Sequence, residues 1–395
     1  MESNTTYRLD IGYRELLRVA VPVSLGAFVQ FIVAFTDSYF VAKLDGNSMS
    51  AVSFVGLIYI TLAMFSIGLS NAAQIMIARR KGELRLDECG RTLVNALLIG
   101  IFLSVAQFLC MQFLIPPLLD EFVGSEDVVV KMKEFLEPRS WGFFFFTSTL
   151  IINSFWSGIA RTSVMIYTTL IIALSNIVLA YSLVFGHFGM PELGLRGAAI
   201  ANIIAEAMGM IFLSIYTLRH RESREYSVIR ALRSPVFLYT LPLLTLGLPI
   251  MLQLVLSLGV WVVFYKMVGD LGEKQLQASF VVRHMYMLVY VSVGGMSTTI
   301  KTYVSGLIAE NRRSELWIVI RRVIFLNLCG VMIMSHGLWL YPEWLSEQFS
   351  QDPETIRYSV KTMLVVLPAI AVFACSSVLL GAVEGSGNAR MGFLI

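Results

Sequence analysis

Ionisable side chains are scarce inside the apolar stretches of this sequence, and the few found there mark where its chemistry can occur. A charge in hydrocarbon is costly and is kept only for a purpose. Asp37 lies about 20 residues into the first apolar stretch. A carboxylate there can exchange a proton, or join nearby oxygens in ligating a sodium ion. Placed at the stretch's watery end, it would simply be solvated. Asn176 sits in the middle of the fifth stretch, where an amide completes a polar site or hydrogen-bonds across helices. Glu206 stands in the sixth, in the small-residue run Ala201-Asn-Ile-Ile-Ala-Glu206, and needs a partner or a proton. The eighth holds Arg283, His284 and Lys301. The first two either line an internal space and meet anionic groups or snorkel to the surface; Lys301 is expected near the stretch's end. No His/Asp/Glu metal cluster, nucleophile elbow or phosphate-binding Gly loop occurs, which argues against an enzyme and an ATP-driven pump.

The elements that must position these residues are membrane helices. Of 395 residues 56% are hydrophobic and 14% charged, too few charges to cover a soluble fold of this size. Mean hydropathy is +0.73. This excludes a soluble enzyme, a nucleic-acid binder and a disordered chain. Ten apolar runs long enough to cross a bilayer lie near 16–42, 49–78, 92–115, 139–160, 163–186, 194–218, 238–268, 275–308, 316–341 and 358–383, and an eleventh starts near 388. The runs lack the alternation of barrel strands. No cleavable signal peptide is visible, so the first run acts as its own insertion signal. The four cysteines, Cys89, Cys110, Cys329 and Cys375, have no metal-like spacing.

Loop charge orients the bundle. Arg79, Arg80, Lys81, Arg85 and Arg91 follow the second run. Arg219, Arg221, Arg224, Arg230 and Arg233 follow the sixth, and Arg312 and Arg313 the eighth. Connections on the other side carry Asp120, Glu121, Glu126, Asp127, Glu343, Glu347, Asp352 and Glu354; one of them also holds Lys131, Lys133 and Arg139. The positive-inside rule makes the N-terminus and the 219–237 loop cytoplasmic. The division is expected at that loop, with an N-lobe over 1–218, a linker over 219–237 and a C-lobe over 238–395. The halves resemble each other at a shift of about 225 residues. Val21-Pro22 matches Leu248-Pro249, and Gly158-Ile-Ala-Arg-Thr-Ser163 is set beside Gly381-Ala-Val-Glu-Gly-Ser386. Six spans return the chain to its starting side, so the expected architecture is two parallel six-helix bundles around a central cleft. By that repeat about two helices would follow Ile395.

The sequence resembles the multidrug and toxic compound extrusion (MATE) family, in particular its DinF-like bacterial branch. The resemblance rests on Pro22 with Thr36-Asp37, Gly68-Leu-Ser-Asn-Ala-Ala-Gln74, Arg79-Arg-Lys-Gly82, Ser175-Asn176-Ile-Val-Leu179, Gly189-Met-Pro-Glu-Leu-Gly-Leu-Arg-Gly-Ala-Ala199, Gly247-Leu-Pro-Ile-Met-Leu-Gln253, and Leu380-Gly381 with Gly385-Ser-Gly-Asn388. It implies a twelve-span secondary-active antiporter working by alternating access. Such a protein exports drugs or organic, often cationic, metabolites in exchange for a proton or sodium. It also implies that Asp37 is the N-lobe coupling carboxylate, with Asn176 as its polar partner and bending at Pro22 as the gate. Proton-coupled relatives often carry an Asp one turn after that amide, where this chain has Ala180. We therefore expect Asp37, Asn176 and Glu206 to form the cation site, with a proton preferred to sodium and no other cofactor. Gln30, Gln253, Trp261, Tyr265, Arg283, Met285 and Tyr286 are the expected cavity-lining residues, and Pro22 and Pro249 the kink positions. The expected partners are a small-molecule substrate and the lipid bilayer, with no nucleic acid, for a monomer in the bacterial inner membrane. The alternative within the same superfamily is a flippase for lipid-linked oligosaccharide, which would need a more basic cleft.

Overall fold

The computed structural model describes residues 8–122, 126–234, 237–347 and 352–394; the side chains of Gly46, Glu121, Phe122, Val262, Glu273, His284, Met285 and Leu288 lie outside the description. Among the described residues every regular element is a helix. These are α1 (Tyr13–Ala42), α2 (Gly46–Gly82), α3 (Leu86–Leu109), α4 (Ile115–Phe122), α5 (Glu126–Arg139), α6 (Gly142–Gly158), α7 (Ser163–Phe185), α8 (Gly194–Arg219), α9 (Arg221–Glu225), α10 (Val228–Arg233), α11 (Thr240–Leu271), α12 (Glu273–Ala309), α13 (Leu316–Leu340), α14 (Pro342–Glu347), α15 (Pro353–Gly385) and α16 (Ala389–Leu394). Helices are forced here because hydrocarbon offers no partner for a backbone N–H or C=O.

Among the described residues eight stretches are long and apolar enough to cross a bilayer. The other two expected spans are also helical. α6 is short, at 17 residues, and α12 has its hydropathy diluted by Lys274, Arg283, His284 and Lys301. Two expected boundaries move. The third span runs on past 115, because a π-helical turn over Cys110–Leu114 joins α3 to α4. The fourth starts at Gly142, and Arg139 ends the preceding helix α5. Asp45 and Asp352 cap α2 and α15 by accepting from the amides of Ser48 and Thr355, at 2.7 and 2.9 Å.

Pro22 leaves α1 continuous. Lacking an N–H, it frees the carbonyl of Arg18 one turn earlier. Thr162 fills the gap: its hydroxyl lies 2.9 Å from the carbonyl oxygen of Val19 and 3.3 Å from that of Arg18.

The two halves are related by a constant offset. Pro22 and Pro249, the left-handed residues Leu84 and Asn311, and the left-handed residues Ala160 and Gly387 are each 227 positions apart. Helices follow the same rule: α2 maps onto α12, and α5 with α6 maps onto α15. Ion pairs repeat too. Arg85 pairs with Glu83 and Glu88, and Arg312 with Glu310 and Glu315, at equivalent positions. The offset corrects one motif alignment. Gly158 packs on the Gln74 carbonyl and Gly385 on that of Lys301, so Gly158 corresponds to Gly385, four residues beyond the expected Gly381.

Contacts between halves are reciprocal, as about a twofold axis. Gly68 touches Met251 while Gly295 touches Ser24, and Gly82 meets its own counterpart Ala309. These glycines let backbones approach closely. The Gln74 amide donates to the Thr298 carbonyl and the Thr302 hydroxyl at 2.8 Å, and the Ser305 hydroxyl to the Ile75 carbonyl at 2.7 Å. All lie toward the end where α1 begins and α2 finishes, over an apolar cluster of Leu16, Val19, Ala20, Ile300, Tyr303 and Leu307. At the other end each half keeps its own core. One gathers Val41, Val55, Tyr59, Met132 and Leu195, and the other Val281, Val289, Val331, Met363 and Ile370. The halves thus join at the N-terminal end and part toward the other.

Candidate functional site

Asp37 stands five residues before the end of α1, about 7.5 Å along the axis, in the parted half. Its neighbours Thr36 and Ser38 turn their hydroxyls back to carbonyls of α1, leaving the carboxylate to other helices. Asn202 of α8 donates to Asp37 Oδ2 at 3.2 Å. Asp37 Oδ1 is buried without a hydrogen-bond partner. Asn176 of α7 lies beside this carboxylate, 1% exposed, and neither amide atom has a partner. Ala180, one turn further along α7, is equally buried and brings no carboxylate.

Glu206 does not stand alone. Arg139, at the end of α5, grips both its oxygens at 2.8 and 3.2 Å; the two side chains are 12% and 13% exposed. The guanidinium lies 3.8 Å from the centre of the Tyr59 ring, which stacks on Phe143 at 4.3 Å. Gly142 makes this possible, because a Cβ there would stand 2.2 Å from Arg139 Nη1 and 2.8 Å from Glu206 Oε2. Asn202 and Glu206 are four apart on α8, so they share a face, one turn above the other. The structure therefore joins Asp37, Asn176 and Glu206 in one region and adds Arg139, Asn202 and Tyr59. Its formal charges are two negative and one positive, and Asp37 Oδ1, the Asn176 amide and the Tyr59 hydroxyl are its buried atoms without a hydrogen-bond partner.

The expected cavity residues divide. Trp261, Tyr265, Arg283 and Tyr286 line a pocket of about 200 Å³ between α11, α12 and α15. Gln253 does not: it is eight residues, about 12 Å, before Trp261 on α11, and its buried, unpartnered Oε1 points toward Gly392 of α16. Gln30 is exposed on α1 and lines no part of that pocket. The Met285 side chain lies outside the described residues. Lys301 is buried in an ion pair with Glu384 at 2.9 Å. The four cysteines are free, and no metal-binding cluster occurs among the described residues.

The mixed loop is also explained. Lys131 pairs with Asp45, Lys133 with Asp120 at 2.7 Å, and Arg139 with Glu206, so each of its cations is matched locally. The Lys131 ammonium, helped by the Ser48 amide, holds the Asp45 carboxyl down at about 2. Lys274 and Thr355 do the same for Asp352, also about 2.

A duplicated, multi-pass helical membrane protein with a polar cluster buried among its spans has the construction of a membrane transporter. The chain belongs to the MatE family, whose profile matches residues 22–182 and 249–395 and so starts each match at one of the two equivalent prolines. It is 24% identical to a probable multidrug resistance protein NorM of Agrobacterium fabrum, over 96% of this chain and 82% of that one. With a second protein of that name, from Pseudomonas aeruginosa, identity is 26% over 98% and 80%. Its fold is that of an outward-facing multidrug resistance MATE family transporter of the MOP superfamily, with a TM-score of 0.89, 18% identity, and coverage of 100% of this chain and 87% of the other. A MOP superfamily transporter from Pyrococcus furiosus gives a TM-score of 0.88 at 18% identity, with 100% and 87% covered.

Proposed function

We propose that this protein is a secondary-active exporter of drugs or organic metabolites, driven by proton entry and working by alternating access. The observation that carries the reading is Asp37, a carboxylate buried in a span with one oxygen unpartnered beside an unpartnered Asn176 amide. A proton needs only that one oxygen. A hard cation such as sodium needs several oxygen ligands, and both Glu206 oxygens are held by Arg139. This favours the proton. Residues 1–218 and 238–395 act as two lobes that rock about the reciprocal glycine seam, opening the joined end as the parted end closes. The basic clusters at the N-terminal end support a cytoplasmic N-terminus in the bacterial inner membrane, and a single chain suffices as the working unit. The test is substrate flux in vesicles with pH and sodium gradients imposed separately. Flux following the pH gradient alone supports the reading; flux indifferent to both gradients rejects it.

A further inference from the structure

The segment that joins the two halves carries a basic pocket that proton-driven export leaves unused. At the end where α2 finishes, Arg80, Arg85, Arg161 and Arg312 are each paired with a glutamate. Arg224, Arg230 and Arg233 have no carboxylate within ion-pair distance among the described residues. Yet these three converge on one cavity of about 410 Å³, which Ser227, Ile229 and Ser234 complete. Three cations around one space repel one another, and an anion between them turns that repulsion into attraction.

The backbone holds this arrangement. Ser227, left-handed at φ 53°, turns the chain between α9 and α10 and brings Arg224 to the cavity that Arg230 and Arg233 line. Tyr226 and Val228 on either side of the turn are buried, and Gly90 of α3 makes room for them: a Cβ there would stand 2.3 Å from the Tyr226 carbonyl oxygen. The Tyr226 ring meets Phe155 edge-on at 5.6 Å. Glu222 and Glu225 of α9 line a different cavity, with Arg161 and Lys81, so the acids of this segment are kept apart from its basic pocket. Round α10, at about 100° per residue, the buried Val228 and Ala231 are followed by the outward Leu232 and Ile229 and then by Arg233 and Arg230. Gly90 is four residues into α3, about 6 Å from its start, so α10 lies against the first turns of a span, at the depth of lipid headgroups.

We propose that this pocket binds the phosphate of an anionic phospholipid, with Arg224, Arg230 and Arg233 around the headgroup and Ile229 and Leu232 against its acyl chains. The inference goes beyond the exporter reading and needs neither its coupling ion nor its solute. Guanidinium forks fit phosphate oxygens, and a basic cluster beside the end of a span attracts anionic lipid. The apolar strip next to the arginines suits a lipid and has no use for a free phosphate. A lipid held here ties the segment between the two lobes to the membrane surface.

The test is native mass spectrometry of the purified full chain in detergent, titrated with dioleoylphosphatidylglycerol, dioleoylphosphatidylcholine and glycerol phosphate. The anionic lipid should bind first, with the zwitterionic lipid and the chain-free phosphate each about tenfold weaker or more. Each arginine near an anionic lipid is worth about fivefold, so Arg224→Gln/Arg230→Gln/Arg233→Gln should lose about a hundredfold for that lipid. The corresponding triple lysine variant keeps part of the preference and shows that the pocket is intact. Arg219→Gln/Arg313→Gln/Arg321→Gln removes as much charge from the same end but outside the pocket, and should leave the affinity near wild type. Ile229→Ser/Leu232→Ser should weaken both lipids and leave glycerol phosphate unchanged. Equal binding of the two lipids, glycerol phosphate binding as tightly as the anionic lipid, or equal losses in the two triple glutamine variants overturns the proposal. No gradient is applied, so a failure of the exporter reading would leave these results standing, and their failure would leave that reading untouched.

Discussion

Removing one partner of the Arg139–Glu206 pair should cost far more than removing both. The two side chains are about nine-tenths buried and joined by two hydrogen bonds of 2.8 and 3.2 Å. Breaking a buried ion pair from one side strands a charge and costs about 3–5 kcal/mol, whereas an exposed pair is worth about 0–1 kcal/mol. Glu206→Gln strands the guanidinium, whose contact with the Tyr59 ring at 3.8 Å is already made in the wild type and offsets nothing. A loss of about 3–5 kcal/mol follows. Arg139→Met should lose a similar amount at neutral pH and less in acid, where a stranded Glu206 can accept a proton. The double variant Arg139→Met/Glu206→Met replaces the pair by apolar side chains and should lie within about 1 kcal/mol of wild type. The assay is reversible unfolding of the purified protein in mixed micelles, read as a double-mutant cycle. Two single losses below 1 kcal/mol that simply add would mean a solvated pair, and the description of a buried polar cluster would be wrong.

Three further outcomes follow from the same structure. Thr162→Val should cost about 1–2 kcal/mol by stranding the carbonyl of Arg18, which Pro22 leaves without its helical donor, and much less in a Pro22→Ala background, where residue 22 regains its N–H; unfolding midpoints check this. Gly82→Val should wedge the seam, since a Cβ there would stand 2.6 Å from Ala309 and 2.7 Å from the Gly306 carbonyl; faster maleimide labelling of Cys introduced at Ser305, in a cysteine-free background, reads the opening. Asp45 sits at about 2 in the fold against its ordinary 3.8, so the stability it gives is present above about 4 and lost as pH falls through 2. Asp45→Asn should remove that part of the acid dependence, measured by unfolding between pH 5 and 2.

Much of this was legible in the sequence for a simple reason: membrane spans are read from length and apolarity, and both are local. Asp37 and Asn176 were visible because a polar group in an apolar run stands out against its neighbours. Arg139 was hidden by the same logic. It falls next to Lys131 and Lys133 in a polar connection, so it counts as loop charge until α8 is seen to bring Glu206 against it. Asn202 hides as one more small polar residue on a helix, although its spacing of four from Glu206 is the signal that marks a shared face. The repeat was visible through Pro22 and Pro249 but drifted by four residues at the end of the half, where Gly158 and Gly381 resemble each other in composition. The firmer signal was Glu83, Arg85 and Glu88 against Glu310, Arg312 and Glu315, a polar pattern under an unchanging offset. Gln30 and Gln253 do not line the pocket that Trp261, Tyr265, Arg283 and Tyr286 share, because Gln30 is on α1 and Gln253 is about 12 Å from Trp261 along α11.

The central claim is that Asp37 couples a proton to export. The most direct measurement is drug efflux from vesicles holding the Asp37→Asn protein, run beside wild type under an imposed pH gradient. The account predicts wild-type efflux that follows the gradient and a variant that is present in the membrane, binds its solutes, and shows no gradient-driven efflux. Efflux by Asp37→Asn that still follows the pH gradient would contradict it.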